Sequence, residues 1–303
     1  MIIITGPTAC GKTPTAVALA KKINGEIISA DSMQIYRGMD IGTAKPDIVE
    51  RGGIAHHLID IVDPTEDFSV AMYQKMAREV ISDIQSRGKT PIMAGGTGFY
   101  INSVIFEKAL APEKDDNVIR QGLEEESPEV LHNRLKAADP VSAERIHPNN
   151  VKRIIRALAY YESNGKPISS HLTTHNKGEM LFDPIIVVLH RDRAQLYEAI
   201  NRRVEDMISK GLEDEVKKLL ATVKNEKTTA MQAIGYKEMI PYIRGQCTIE
   251  DAICAIKQGS RRYAKRQLTY FRHQMNGRWL SMDGKEPEEA AEIIINIMKT
   301  EEN

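Results

Sequence analysis

Eight residues near the amino terminus carry the first recognisable chemistry of this chain. Gly6-Pro7-Thr8-Ala9-Cys10-Gly11-Lys12-Thr13 satisfies G-x-x-x-x-G-K-[ST] at every constrained position. In such a loop the glycines let backbone N–H groups turn inward onto phosphate oxygens, and the start of the following helix adds partial positive charge. Lys12 would bridge the outer phosphates, and the Thr13 hydroxyl would hold Mg2+. The motif implies a bound nucleotide or another pyrophosphate-bearing molecule and nothing finer, because kinases, GTPases, motors and transferases all use it. Asp31, heading Asp31-Ser32-Met33-Gln34, is the next group of interest. It can be a Mg2+ ligand, a base facing an acceptor, or a cap on the turn after a strand. Asp60 and Asp63 are further candidates for a metal role. No strand ends in the apolar-run-then-Asp pattern with an adjacent Glu that ATPases use to prime water.

A phosphate loop needs a strand before it and a helix after it. Met1-Ile2-Ile3-Ile4 reads as a buried parallel strand, and Ala16, Leu19 and Ala20 open a helix whose first turn tolerates Pro14. Glu26 to Ala30 reads as a second strand that delivers Asp31 to the carboxyl edge of the sheet, where ligands of open α/β sheets gather. Tyr36 to Pro46 is too glycine-rich for a regular helix and reads as a shaped loop. His57 to Val62 reads as a third strand, Ser69 to Ser86 as a helix, and Pro91 to Ala94 as a buried strand ending in Gly95-Gly96-Thr97-Gly98-Phe99-Tyr100. Strands alternating with helices predict a P-loop NTPase-like, doubly wound parallel sheet of the α/β class.

From Asp115 to about Phe182 only helical stretches rich in Glu, Lys and Arg are visible, so an all-helical insertion domain is expected over 113–182. The sheet-bearing core would then be 1–112 and 183–303. Pro184 to His190 returns to the sheet, and the remainder reads as helical: Ala194 to Lys210, Leu212 to Val223, Met231 to Tyr242 interrupted by Gly235, Ile249 to Phe271, and Pro287 to Met298.

With 303 residues, 42% hydrophobic and 27% charged, the chain can bury a sizeable core in one large domain or two. No apolar run approaches the ~20 residues that span a bilayer, and the first residues enter a strand without a basic leader; a cytoplasmic protein with no membrane partner is expected. Cys10, Cys247 and Cys254 offer neither a disulfide framework nor zinc-ligand spacing. A net charge of −1 leaves any polyanion partner to local cationic clusters. Two exist. In Lys152-Arg153-Ile154-Ile155-Arg156 the isoleucines can pack inward while the cations point out. In Arg261 to Arg272, Ala264, Leu268 and Phe271 share one helical face, beside an arc of Arg261, Lys265, Arg266 and Arg272. A solvated charged face accounts for most such runs, yet Tyr263 and Tyr270 among arginines suit stacking on unpaired bases. His56 and His57 could suggest a metal, but neighbouring strand residues face opposite ways.

Taken together, Gly6 to Thr13, Asp31 to Tyr36, Ile41-Gly42-Thr43-Ala44-Lys45-Pro46, Gly95 to Tyr100, Ile234-Gly235-Tyr236-Lys237 and Arg262-Tyr263-Ala264-Lys265-Arg266-Gln267 resemble the bacterial tRNA dimethylallyltransferases, the isopentenyl transferases acting on tRNA. The likeness runs from the first strand to about Arg272. It implies that Gly6, Pro7, Thr8, Ala9, Cys10, Gly11, Lys12 and Thr13 hold the pyrophosphate of dimethylallyl diphosphate, and that the prenyl group moves to N6 of adenosine-37 in tRNA. Ionising an allylic diphosphate requires neutralising the leaving charge, which Lys12, Mg2+ on Thr13 and the loop amides can do. The aryl amine must lose a proton as its bond to carbon forms, and Asp31 is the expected base. By the family pattern Thr8 and Arg203 also line the diphosphate site, with Arg202 adjacent. Adenosine-37 would have to be extruded into a channel. The resemblance places Asp31, Ser32, Met33, Gln34, Thr97, Gln232, Gly235, Tyr236 and Lys237 near the RNA. It places Lys152, Arg153, Arg156 and Arg120 of the insertion on the anticodon stem, and Tyr270 stands where the family more often has Trp. A monomer is expected. Competing readings are a small-molecule kinase, a nucleotide-gated RNA-binding protein, and an adenylate isopentenyltransferase acting on free nucleotides.

Overall fold

The computed structural model describes residues 1–107, 117–171 and 179–301. The chain forms two compact units, Met1–Ile105 with Phe182–Asn303, and Phe106–Leu181. The change of character read at Ala111-Pro112 lies outside the described residues.

The first unit is built on six parallel strands, β1 (Ile2–Thr5), β2 (Gly25–Ser29), β3 (His56–His57), β4 (Thr90–Gly95), β5 (Ile185–His190) and β6 (Arg278–Ser281), in the order β3-β2-β4-β1-β5-β6. Isoleucine and valine fill β1 and β5 because central parallel strands are covered on both faces. Its helices are α1 (Lys12–Ile23), α2 (Val70–Ser86) and α3 (Gly98–Ile105). In the second unit lie α4 (Asn117–Glu124), α5 (Pro128–Ala138), α6 (Pro140–Arg145) and α7 (Val151–Asn164). Returning to the first unit, α8 (Arg193–Ser209), α9 (Leu212–Thr222), α10 (Tyr236–Ile243), α11 (Ile249–Gln274) and α12 (Pro287–Glu301) follow. One core joins the β1 and β5 side chains to Ala16, Leu19, Ala264 and Ile294. A second, around Tyr36, Met39, Val204, Val216, Tyr236 and Ile256, fixes α8 to α11 against the segment after β2.

Three expectations change. The strand read over His57 to Val62 is only His56–His57, because Leu58 and Asp60 take positive φ values of 61° and 57° that break extended pairing. Val62 returns as an isolated parallel bridge to Tyr36. The helix read from Met231 begins only at Tyr236, since Gly235, at φ 101°, is its N-cap rather than an interruption. Finally, β6 closes a sheet edge where only helix was expected; its exposed Arg278 and Trp279 hide the alternation that marks a strand. Asp60 and Asp63 are not free for a metal: Asp60 accepts from Lys45 at 2.5 Å and Asp63 from Arg37 at 2.8 Å. The two histidines diverge, His57 Nε2 meeting Glu26 at 2.8 Å and His56 Nδ1 meeting the Ile54 carbonyl at 2.9 Å.

Among its described residues the second unit is helical apart from an antiparallel bridge between Phe106 and Met180. Leu131, Leu135, Ile154 and Leu158 form its core, and Lys152, Arg153 and Arg156 face solvent. Asp139 is fully buried, accepting from the Ser142 N–H at 3.0 Å, the Ser142 hydroxyl at 2.7 Å and the Ser169 N–H at 3.0 Å.

Candidate active site

Because β1 sits between β4 and β5, its carboxyl end projects the phosphate loop into the middle of the ligand-bearing edge. Gly6, at φ 144°, packs so closely that a Cβ there would lie 2.3 Å from the Leu189 carbonyl oxygen. Ala9 and Gly11 also take positive φ, at 62° and 88°, which curls the loop before α1 begins at Lys12. The Lys12 ammonium folds back on the Pro7 carbonyl at 2.7 Å. Burial lowers its pKa, with Arg203 pressing in the same direction and Cys10 and Asp31 opposing. Burial likewise pushes the Cys10 thiol up, which leaves it an inert packing group donating to the Pro7 carbonyl.

A cavity of about 320 Å³ opens over this loop, lined by Thr8 to Pro14, Asp31, Glu50 and Arg203 among others. A second, of about 290 Å³, is lined by Ser32, Met33, Gly42, Thr43, Gln232, Lys237 and Arg266. Thr8, Asp31, Arg203 and Tyr263 line both. The two chambers therefore meet at a carboxylate, a guanidinium and two hydroxyls. Asp31 is oriented there by the Met33 N–H, which donates to it at 2.9 Å in a turn closed by its own side chain. The N–H of Ser32 donates to the Thr97 hydroxyl at 3.1 Å, bringing Thr97 beside this turn.

Of the adjacent arginines, Arg203 faces the chambers, its guanidinium donating to the Thr43 carbonyl at 3.1 Å, while Arg202 turns outward to Glu198 at 2.8 Å. Burial lowers the pKa of Arg203, and Asp31 and Cys10 oppose that shift. Burial and the charge of Asp31 push the Tyr263 phenol up to about 12, so it stays protonated.

Gln232 and Lys237 are exposed at the second chamber. Three residues expected beside RNA are buried in this structure. Tyr236 is fully buried and donates its hydroxyl to Glu215 at 2.6 Å. Gln34 is 9% exposed, taking the Ser29 hydroxyl at 3.1 Å and donating to the Ala44 carbonyl at 3.3 Å; its side chain holds the loop after β2. Gly235 is buried too, its N–H donating to Glu238 at 2.8 Å. Arg120 is exposed on α4.

Sequence reasoning quoted Gln267 only as part of a motif, without a role, and passed over Glu215. Gln267 accepts the Thr8 N–H at 2.9 Å and donates to the Gly96 carbonyl at 2.9 Å. Glu215 accepts three successive backbone N–H groups, of Asp40 at 2.9 Å, Ile41 at 2.8 Å and Gly42 at 3.0 Å. The neighbouring Gly96 and Gly42 were the available signals: a Cβ on either would lie 2.2 Å and 2.4 Å from Gln267 and Tyr236 respectively.

The parallel sheet, the loop at its centre and the paired chambers define an α/β protein of the phosphate-loop class. A family model described as IPP transferase matches residues 34–274. The chain is 48% identical over 301 residues to a protein named tRNA dimethylallyltransferase from Acetivibrio thermocellus, covering 98% of this chain and 96% of that one. A solved tRNA delta(2)-isopentenylpyrophosphate transferase from Staphylococcus epidermidis superposes with a TM-score of 0.72 at 43% identity, covering 99% of this chain and 98% of the other. A eukaryotic dimethylallyltransferase, solved acting on tRNA, gives a TM-score of 0.82 at 30% identity, covering 99% and 79%. This chain belongs to the IPP transferase family.

Proposed function

We propose that the protein transfers a dimethylallyl group from dimethylallyl diphosphate to N6 of adenosine-37 in tRNA, releasing pyrophosphate. The observation that carries this reading is the meeting of the two chambers at Thr8, Asp31, Arg203 and Tyr263. A diphosphate in the loop chamber would have its reacting carbon directed at that junction, and a base entering the other chamber would face it.

The allylic C–O bond breaks with its electron pair going to the diphosphate, while the N6 lone pair forms the new C–N bond. Asp31 receives the N6 proton. Lys12, Arg203 and the loop amides stabilise the departing anion, and the partial burial of both cations makes each worth more than it would be in open solvent. The Thr8 hydroxyl stands at the same junction. Mg2+ suits the loop chamber, where the Thr13 hydroxyl would offer it a hard oxygen donor beside the diphosphate and leave Asp31 free as the base. When bound it would neutralise diphosphate charge.

An adenosine stacked in an anticodon loop cannot reach Asp31, so it must be flipped into the second chamber, past Ser32, Met33, Thr97, Gln232 and Lys237. The cationic face of α7, with Arg120, would hold the anticodon stem through its phosphates, positioning without reading sequence. A kinase would leave these cations without a task.

Incubating the purified protein with dimethylallyl diphosphate, Mg2+ and, separately, unmodified tRNA, ATP or AMP tests the reading. A five-carbon mass should appear on tRNA alone, and Asp31→Ala should abolish it while RNA binding survives. Product on AMP, phosphoryl transfer from ATP, or full activity in Asp31→Ala would overturn the proposal.

A further inference from the structure

Arg203 lies in a chamber wall with its guanidinium anchored on the Thr43 carbonyl. An arginine meets a phosphate well only when its planar fork is held in one orientation. What holds it is the segment from Asp40 to Lys45, which is not a regular element and has to be fixed by side chains.

Glu215, on the first turn of α9, does most of that fixing. One carboxylate oxygen takes the N–H groups of Asp40 and Ile41, and the other takes those of Gly42 and the Tyr236 hydroxyl. Three consecutive amides converging on one carboxylate hold the backbone as a bound anion is held, with the anion supplied by the protein itself. The Tyr236 ring closes against Gly42, where no side chain larger than hydrogen fits. At the next residue the chain turns back, the Thr43 hydroxyl donating to the Met39 carbonyl at 2.6 Å. That leaves the Thr43 carbonyl aimed at Arg203 while Gly42 and Thr43 line the second chamber and Ala44 and Pro46 line the loop chamber.

We propose that Glu215, braced by Tyr236, is a positioning residue for Arg203, acting through the Asp40 to Thr43 backbone to set the guanidinium against the diphosphate. The proposal rests on the assignment of the loop chamber to a diphosphate but not on the identity of the acceptor. Glu215 touches neither substrate; it sets the orientation of the group that does.

A double-mutant cycle on inorganic pyrophosphate binding separates this from a general stabilising role. Glu215→Gln keeps the shape but turns an amide N–H toward backbone donors, and is expected to weaken pyrophosphate binding about tenfold. Arg203→Gln should weaken it by at least as much. In the double variant the Glu215→Gln effect should vanish, because there is no guanidinium left to orient. Affinity for tRNA, carried mainly by phosphate contacts away from Gly42, should fall much less than pyrophosphate binding in Glu215→Gln. Losses that simply add in the double variant, or an equal loss of tRNA affinity, would overturn the proposal. If Glu215→Gln does not fold, Tyr236→Phe removes a single hydrogen bond from the same carboxylate; it should weaken pyrophosphate binding less, and again not at all once Arg203 is Gln. Absence of prenyl transfer in the wild type would remove the acceptor assignment, whereas the coupling between Glu215 and Arg203 in pyrophosphate binding would stand or fall independently of it.

Discussion

Gln267 and Thr8 meet at 2.9 Å, side-chain carbonyl oxygen to backbone N–H, although they stand at opposite ends of the first unit's sequence. Through this bond and its partner to the Gly96 carbonyl, α11 ties the phosphate loop to the end of β4. Gln267→Leu would leave a part-buried donor and a buried acceptor without partners, each costing up to about 1–3 kcal/mol. Chemical denaturation should show a loss of roughly 2–6 kcal/mol, and a stability equal to wild type would contradict this role.

Lys12 predicts a proton linkage. Its pKa is lowered in the free protein, chiefly by burial, so it gives up its proton more readily than an exposed lysine does. A bound diphosphate favours the charged form. Pyrophosphate binding should therefore take up protons over the pH window between the free and the bound pKa of Lys12, and the uptake is read from calorimetric titrations in buffers of different ionisation enthalpy. Lys12→Met should bind more weakly and lose most of the uptake; identical proton exchange in the variant would count against the assignment.

Glu26 sets an acid limit to folding. Bidentate bonds from Arg87 at 2.6 and 2.7 Å, with Lys89 at 2.7 Å and His57 at 2.8 Å, outweigh its burial and hold its carboxyl well below the ordinary range. A carboxylate whose folded pKa is depressed stabilises above the unfolded value near ~4.3 and loses that contribution as pH falls toward the folded one. Glu26→Gln should cost about 3–5 kcal/mol at neutral pH, with the gap from wild type narrowing below about pH 4. A gap independent of pH would show that packing rather than charge is responsible.

The α7 cations make a separate claim about RNA. If Lys152, Arg153 and Arg156 each neutralise a phosphate, replacing all three with Ala should lower the slope of log affinity against log salt by about 2–3. Filter binding across a salt series would measure it. An unchanged slope would remove α7 from the RNA contact.

Asp139 tests the helical unit alone. Burial works to raise its pKa, but bonds from Ser169 and Ser142 prevail and lower it, so its carboxylate serves as a fixed acceptor joining α6 to the segment at Ser169. Asp139→Ala leaves those donors unpaired, and hydrogen exchange should accelerate in α5 to α7 while β1, β4 and β5 keep their protection. Uniform acceleration through both units would contradict that locality.

Local patterns were enough to place the phosphate loop, Asp31 and the parallel sheet, because each is a short-range consequence of the chain. Glycines permit the curled loop, β-branched runs make central strands, and the end of a strand projects its next residue toward the ligand edge. Which arginine of the Arg202-Arg203 pair faces the chambers could not be read locally, since helix register alone does not say which face a neighbour covers. The burial of Tyr236 and Gln34 was hidden for a related reason: polar residues in a glycine-rich stretch look the same whether they meet solvent or hold a backbone. β6 escaped notice because an edge strand, exposed on one side, needs no continuous apolar run. The bonds of Gln267 to Thr8 and of Glu215 to the Asp40 to Gly42 amides join distant segments, so their geometry exists only once the helices have packed. The chain's own order thus dictates the loop proposed to grip phosphate, and the packing of α8 to α11 decides how the junction between the chambers is set.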